Sequence, residues 1–264
     1  MEMNSVKNKV QKYWDHNVSN WKIATAPIGS NEFFREIELY RFSKLSYLPQ
    51  RVDFNGYPGK RLLDVGCGLG NDLARFVAGG AEGVGIDISQ TAVELAAKNF
   101  DHRGLAAEFL QMDGENMSFA DDSFDVVYCH TVLHFTPDPE ALIKEIYRVL
   151  KPGGVAILMT INRHSWLYFL HRLAKLKIDY MDSPVFNKYT YAEFEKMLSP
   201  FDRIKISSER FPVRTEVHSG IKATIYNKFF VDVYNALPKK LIGKTGYHLL
   251  AFAEKINQPK AEEQ

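Results

Sequence analysis

A short run, Arg61–Val65, ends in Gly66-Cys67-Gly68-Leu69-Gly70 and passes directly into a helical pattern over Asn71–Ala78. This strand–glycine loop–helix junction restricts the fold more than any other stretch of the chain. Glycines at 66, 68 and 70 allow a sharp turn and a close backbone approach to a ligand. The free amides at the helix start suit an anionic or polar group. A tight strand-to-helix turn without a ligand carries the same signature, so the surrounding pattern has to decide.

That pattern alternates apolar runs with helical periodicity. Strands are predicted at Arg61–Val65, Gly83–Asp87, Glu108–Met112, Phe124–His130 and Val155–Thr160. Between them fall a helix closed by Gly79-Gly80, a helix capped by Ser89 and running to Asn99, and a helix over Pro139–Leu150. The last stops before Lys151-Pro152-Gly153-Gly154. Buried strands joined by helices imply an α/β, doubly wound, mostly parallel sheet. Residues 1–58 read as a helical arm, 59–160 as the core, 161–244 as a cap insert with a sixth strand near Ile204–Ser207, and 245–264 as a last strand at His248–Glu254 with a polar tail.

Three acids stand at the ends of consecutive strands: Asp64, Asp87 and Asp113. Open α/β sheets bind ligands at the carboxyl ends of their strands. Asp87 lies about twenty residues beyond the loop, the spacing of a carboxylate that accepts from ribose hydroxyls. Asp113 is placed to accept from an adenine amino group. Asp64, just before the loop, suits a ligand ammonium and sits poorly beside a pyrophosphate. Each acid can also be read as a cap or turn residue. The dinucleotide fingerprint asks for G-x-G-x-x-G or A; here the sixth position is Asn71 and the third glycine comes early, at Gly70.

Four stretches resemble the class I S-adenosylmethionine-dependent methyltransferases: Leu62–Gly70, Gly83–Ser89, Phe124–His130, and Leu142–Gly154 with its Lys151-Pro152-Gly153-Gly154 ending. The resemblance covers about residues 58–160 and, among its members, is nearest to small-molecule enzymes of the quinone and natural-product kind. It implies a Rossmann-like, seven-stranded sheet with the last strand antiparallel. It also implies S-adenosylmethionine as cofactor, with S-adenosylhomocysteine as product. By the same resemblance, Asp64 lies near the methionine amino group, and Gly66, Cys67 and Gly68 lie against the cofactor. Asp87 holds the ribose, Ile88 packs on the adenine, Asp113 and Gly114 line the adenine pocket, and His130 lies by the methionine or the reacting methyl. Tyr13 and Trp14 of the arm are the candidate lid residues. The Asn-Pro-Pro-Tyr motif of amino-group nucleic-acid methyltransferases and the Pro-Cys nucleophile of cytosine-modifying ones are absent.

Methyl transfer from a sulfonium needs positioning and desolvation more than side-chain chemistry. A base is needed only where the acceptor holds its proton. His134 and His130 are the candidate bases; His130 is preferred as a cofactor contact, and His134 is read equally well as wall or base. No zinc-like spacing links His164, His171, His218 and His248, so no metal is expected. Arg41 could meet a carboxylate, but is read first as a solvated or salt-bridged face residue. Trp166-Leu167-Tyr168-Phe169-Leu170 and Phe229-Phe230 are expected to form an apolar acceptor wall. The acceptor is expected to be small and partly apolar, with O-, N- or C-methylation open.

Composition narrows the partners. Lys plus Arg number 33 against 32 Asp plus Glu. This balance gives no electrostatic case for a nucleic-acid partner, although it leaves a local basic patch open. Two cysteines, Cys67 and Cys129, are too few for a disulfide framework and suit a reducing compartment. Without a signal region or an apolar span, the chain is expected to be cytoplasmic. The basic face of the helix carrying His171, Arg172 and Lys175 leaves peripheral membrane contact open. Two other readings stay open here. One is a nicotinamide-dependent oxidoreductase, against which Asp64, Asn71 and the Lys-Pro-Gly-Gly turn speak. The other is a non-catalytic adenosyl-binding module.

Overall fold

The computed structural model describes residues 2–18, 21–174, 178–213 and 224–256. Helix α1 (Glu2–His16), a 3-10 turn (Trp21–Ile23), α2 (Asn31–Lys44) and α3 (Leu48–Arg51) form the arm. The core runs β1 (Arg61–Val65), α4 (Asn71–Ala78), β2 (Glu82–Asp87), α5 (Gln90–Arg103), β3 (Ala107–Gln111), β4 (Phe124–His130), α6 (Pro139–Val149) and β5 (Leu150–Ile161). Beyond it come α7 (Trp166–Ala174), α8 (Tyr191–Met197), β6 (Arg203–Glu209), a π turn (Tyr226–Phe230), α9 (Val231–Ala236), α10 (Lys239–Ile242) and β7 (His248–Glu254).

The seven strands lie in the order β3-β2-β1-β4-β5-β7-β6, with β7 antiparallel to both of its neighbours. Successive residues of β1 show why the fold is doubly wound. Leu62 and Leu63 are both fully buried, on opposite faces. Leu63 joins Val127, Leu158 and the α6 residues Leu142, Ile143 and Ile146. Leu62 joins Val126, Ile157, Phe76 of α4 and Phe100 of α5. A strand covered on both faces buries consecutive residues, which is why Leu62 and Leu63 stand side by side instead of alternating with polar residues. The order reverses between β1 and β4, and this switch point opens a crevice at the strand ends.

Local signals explain the helix starts. Ser89 Oγ accepts from the amide of Ala92 at 3.1 Å, as expected of a cap. Asp138 caps α6 through the amide of Ala141, and Thr190 with Glu193 closes a capping box on α8. The Lys151-Pro152-Gly153-Gly154 segment is not a separate turn. It belongs to β5, where the pairing with β4 shifts register between Phe124 and Val126. Both cysteines are buried and free. Among the described residues no helix is long and apolar enough to cross a membrane, and no group of three or more His, Cys, Asp or Glu side chains is arranged to hold a metal. His218, Lys175 and the tail from Gln258 lie outside the described residues.

Candidate active site

The glycine loop is pinned before any ligand is considered. The amides of Gly66 and Cys67 both donate to the carbonyl of Ile86, at 2.7 and 3.0 Å, and tie the loop to the end of β2. Gly66, Gly68 and Gly70 have φ of 71°, 55° and 70°, a region costly for residues with a Cβ. A Cβ on Gly66 would meet Val132 Cγ2 at 2.2 Å. Asn71 stands where the dinucleotide fingerprint has glycine, and the reason is visible. Its Oδ1 accepts from Asn99 Nδ2 at 3.1 Å, fastening α4 to α5.

A cleft lies over this loop. Gly66, Gly68, Asp87, Ile88, Asp113, Gly114 and Trp14 line it, so the structure brings together most of the residues placed at the cofactor by sequence. Asp87 accepts from the amides of Gly68 (3.0 Å) and Ser89 (2.9 Å). It is therefore both the turn residue and the carboxylate facing the cleft. Burial pushes its pKa up to about 6, against the lowering effect of these two amides. Asp113 Oδ1 accepts from the amide of Glu115 at 2.9 Å.

Other expected residues lie elsewhere. Asp64 is buried beneath the loop rather than on the cleft wall. Burial, with Asp72 nearby, holds its pKa well above the usual carboxylate range, and Arg41 only partly offsets this. Cys67 is likewise buried, and Tyr13 turns from the cleft to donate to Asp182 at 2.9 Å. Arg41 is no surface residue: it ion-pairs with buried Asp72, donating through Nε at 2.7 Å. Burial would raise the Asp72 pKa, but Arg41 outweighs it and the net shift is downward.

His130 sits in a buried polar chain. Arg41 Nη2 lies 3.2 Å from its Nδ1, and Tyr47 Oη 3.1 Å from its Nε2. An arginine can only donate, so Nδ1 is the acceptor and Nε2 carries the proton. Both ring nitrogens are thus committed, and none is left to take a substrate proton. Tyr47 Oη continues to His248 Nδ1 at 2.7 Å. His134 is different. It is buried against Phe135, with ring centroids 4.3 Å apart, and its Nδ1 has no hydrogen-bond partner. Burial pushes its pKa down to about 3, and it lies behind the cleft wall rather than on it.

The arm does more than the sequence indicated. Lys7, Val10, Trp14 and Val18 of α1 and its C-terminal flank cover the cleft. Lys7 Nζ lies 2.6 Å from both Asp113 and Glu115. Burial works against its charge, but the two carboxylates outweigh this and raise its pKa. Asp15 accepts from Ser89 Oγ at 2.8 Å, and Trp14 packs edge-on to Phe135 at 4.8 Å. Sequence reasoning missed Lys7 and Glu115, because charges far apart along a chain carry no sign that they will meet. It also missed Thr131, which lines the cleft with φ of 69°, a strained conformation for a β-branched residue.

The expected acceptor wall needs correction. None of Trp166–Leu170, Phe229 or Phe230 lines the cleft. The chain leaves β5 toward β7, so Tyr168 packs with Ile161 and Tyr247, while Trp166 packs on Tyr226 and Phe230. The cleft carries other apolar side chains, Trp14, Val132 and Phe135 among them.

Known proteins agree with this geometry. A methyltransferase-domain family matches residues 63–158. The ubiquinone biosynthesis O-methyltransferase of Actinobacillus pleuropneumoniae serotype 5b (strain L20) is 33% identical over 184 residues, covering 68% of this chain and 76% of the relative. The chain belongs to the class I S-adenosylmethionine-dependent methyltransferases. The Haemophilus ducreyi enzyme of the same description is 30% identical over 204 residues, covering 75% of this methyltransferase and 78% of the relative. In fold, the methyltransferase is similar to a Thermotoga maritima protein described as a possible histamine N-methyltransferase, with a TM-score of 0.62, 20% identity, and 93% and 99% of the two chains covered. It is also similar to magnesium protoporphyrin IX methyltransferase of Synechocystis PCC 6803 with bound S-adenosylhomocysteine, with a TM-score of 0.57, 17% identity, and 94% and 99% covered. Family membership sets aside both the nicotinamide-dependent oxidoreductase and the non-catalytic module.

Proposed function

We propose that this methyltransferase transfers the methyl group of S-adenosylmethionine to a hydroxyl of a small, largely apolar, aromatic acceptor. The observation that carries this reading is the division of one cleft into two chemistries. Asp87 and Asp113 lie at the β2 and β3 ends, and Trp14, Val132 and Phe135 form an apolar wall beyond the glycine loop. The description of the relatives as O-methyltransferases supports the oxygen.

The residues present fit the cofactor. Gly66 and Gly68 present bare backbone to the cleft, and Asp87, already ordered by two backbone amides, has a carboxylate that could accept from ribose hydroxyls. Ile88, Asp113 and Gly114 would hold the adenine. When bound, the cofactor supplies an activated methyl group, which needs no metal or nucleophilic residue. This chain then has two tasks. Trp14 and Phe135 orient the acceptor ring by apolar and edge-to-face contact. Helix α1 covers the cleft and keeps out water, which would otherwise solvate the attacking oxygen. The acceptor reacts as its phenolate, its hydroxyl proton already lost to water, because His134 lies buried behind the cleft wall and is not placed to take it.

The test is methyl transfer to a panel of phenols, aliphatic amines and hydrophilic acids, read by mass spectrometry of the products. O-methylated phenols or quinols are expected. Turnover confined to amines or hydrophilic acids would overturn the acceptor reading. With a phenol that is neutral at the assay pH, His134→Ala should turn over as the wild type does, and a loss of about 10²-fold or more would assign His134 as the base.

A further inference from the structure

Strands β6 and β7 are antiparallel neighbours, and a hairpin of two to five residues would suffice to join them. Residues 210–247 make this connection instead. Within it, Tyr226, Phe230 and Tyr234 recur every four residues and pack inward. Tyr226 and Phe230 stack on one another at 5.7 Å and both lie against Trp166. Phe230 continues to Tyr234, which is buried. A second row also recurs every four residues: Ile225, Phe229, Val233, Leu237 and Leu241. All five are exposed, from 42% to 70%. On α7, Phe169 and Leu173 continue the stripe begun by Trp166 and are exposed as well.

Single exposed apolar residues are ordinary, but Ile225, Phe229 and Val233 recur along one helical stretch and Leu237 and Leu241 extend the exposed apolar surface past its end, which together marks a contact surface. Its flanks are cationic. Lys228, Lys240 and Lys244 are exposed in the same segment, against one acid, Asp232, and Arg172 is exposed on α7. We propose that the face formed by Ile225, Phe229, Val233, Leu237 and Leu241 lies on an anionic lipid bilayer, with the row inserted among the acyl chains and the cations at the head groups. A large apolar row with lysines along its polar side, lying in the interface plane, is the pattern of such contacts. A second copy of the chain fits less well. Pairing this face with itself would set Lys228 and Lys240 against the same lysines. Anionic head groups complement them.

The position relative to the site is informative. Tyr168 of α7 and Phe186 belong to one apolar cluster, and Phe186 meets Phe135 of the cleft wall at 5.6 Å. Helix α7, which carries Phe169 and Leu173, is thus tied through Tyr168 to the cluster that meets Phe135. The proposal holds whichever acceptor the enzyme uses.

Flotation of the full chain tests it, using phosphatidylcholine vesicles with and without phosphatidylglycerol. The wild type should float with the anionic vesicles and bind neutral ones about tenfold more weakly, with the difference narrowing at high salt. Phe229→Ser/Leu241→Ser and Lys228→Glu/Lys240→Glu should each reduce binding by about tenfold or more. Both should keep wild-type cofactor affinity, since none of these residues lines the cleft, and that binding confirms folding. Wild-type protein that stays in the soluble fraction with both vesicles would overturn the proposal. So would binding that neither double variant alters. A concentration-dependent dimer dispersed by Phe229→Ser/Leu241→Ser, without vesicle binding, would instead assign the face to a second copy.

Discussion

Replacing Gly66 by alanine tests the loop geometry at the atom where it is tightest. The new Cβ would lie 2.2 Å from Val132 Cγ2, and the backbone would have to keep φ near 71°. The left-handed conformation costs a non-glycine residue about 1–2 kcal/mol. Forcing a methyl group into an occupied space costs about 1–3 kcal/mol more. Together they predict roughly 2–5 kcal/mol of destabilisation, or a Tm lower by roughly 4–9 °C for a chain of this size. Cofactor affinity should fall as well, because relieving the clash moves the loop or the start of the β4–α6 connection, and both line the cleft. Val132→Ala in the same background removes Cγ2 and should recover the overpacking part alone. The double-mutant cycle should then show a favourable coupling of about 1–3 kcal/mol. Thermal melts and cofactor titration calorimetry read both effects. A Gly66→Ala protein that melts within about 1 °C of the wild type and binds the cofactor within about twofold would refute the argument.

Three further outcomes follow from the charges. Asp87, with its pKa near 6, can accept from two ribose hydroxyls only when ionised, so cofactor Kd should rise as pH falls from about 7 toward 5, and Asp87→Asn should weaken binding about tenfold and flatten this dependence. A wild-type Kd flat over that range would contradict the ribose role. His134 has a folded pKa near 3 against an ordinary 6.5, so below pH 6.5 the unfolded chain takes up a proton that the folded chain does not. Relative to His134→Gln, the wild type should lose up to about 1.4 kcal/mol of stability per pH unit below 6.5, seen by urea melts, and the gap should be constant above it. Lys7→Met leaves Asp113 and the buried Glu115 without their cation, so α1 should be cleaved faster by limited proteolysis and cofactor affinity should fall roughly fivefold. High salt should mimic this in the wild type and add little in the variant.

The core was legible in the sequence because its signals are local. β1, α4, β4 and β7 have the bounds that periodicity and glycine placement predict, and Ser89 caps where a cap was expected. Asp87 and Asp113 could be placed in the cleft because a strand's end is a fixed point in a parallel sheet. The third acid shows the limit of that rule. Asp64 also ends a strand, yet it is turned beneath the loop toward Arg41 and Asp72. Nothing within a few residues of Asp64 announces Arg41, which arrives from the arm. The acceptor wall fails for a related reason. Trp166–Leu170 has the composition of a pocket, but the direction in which the chain leaves β5 sends it away from the crevice.

The sequence by itself determined the glycine loop, the alternation of strand and helix, and the acids at the β2 and β3 ends, because each depends on backbone preferences within a few residues. Only the tertiary structure decided that Lys7 bridges Asp113 and Glu115, that Arg41 and Tyr47 together occupy both nitrogens of His130, and that Trp14 meets Phe135 at the cleft. Those contacts join residues tens to more than a hundred positions apart. Burial and charge pairing act through space, and the one-dimensional pattern does not record them.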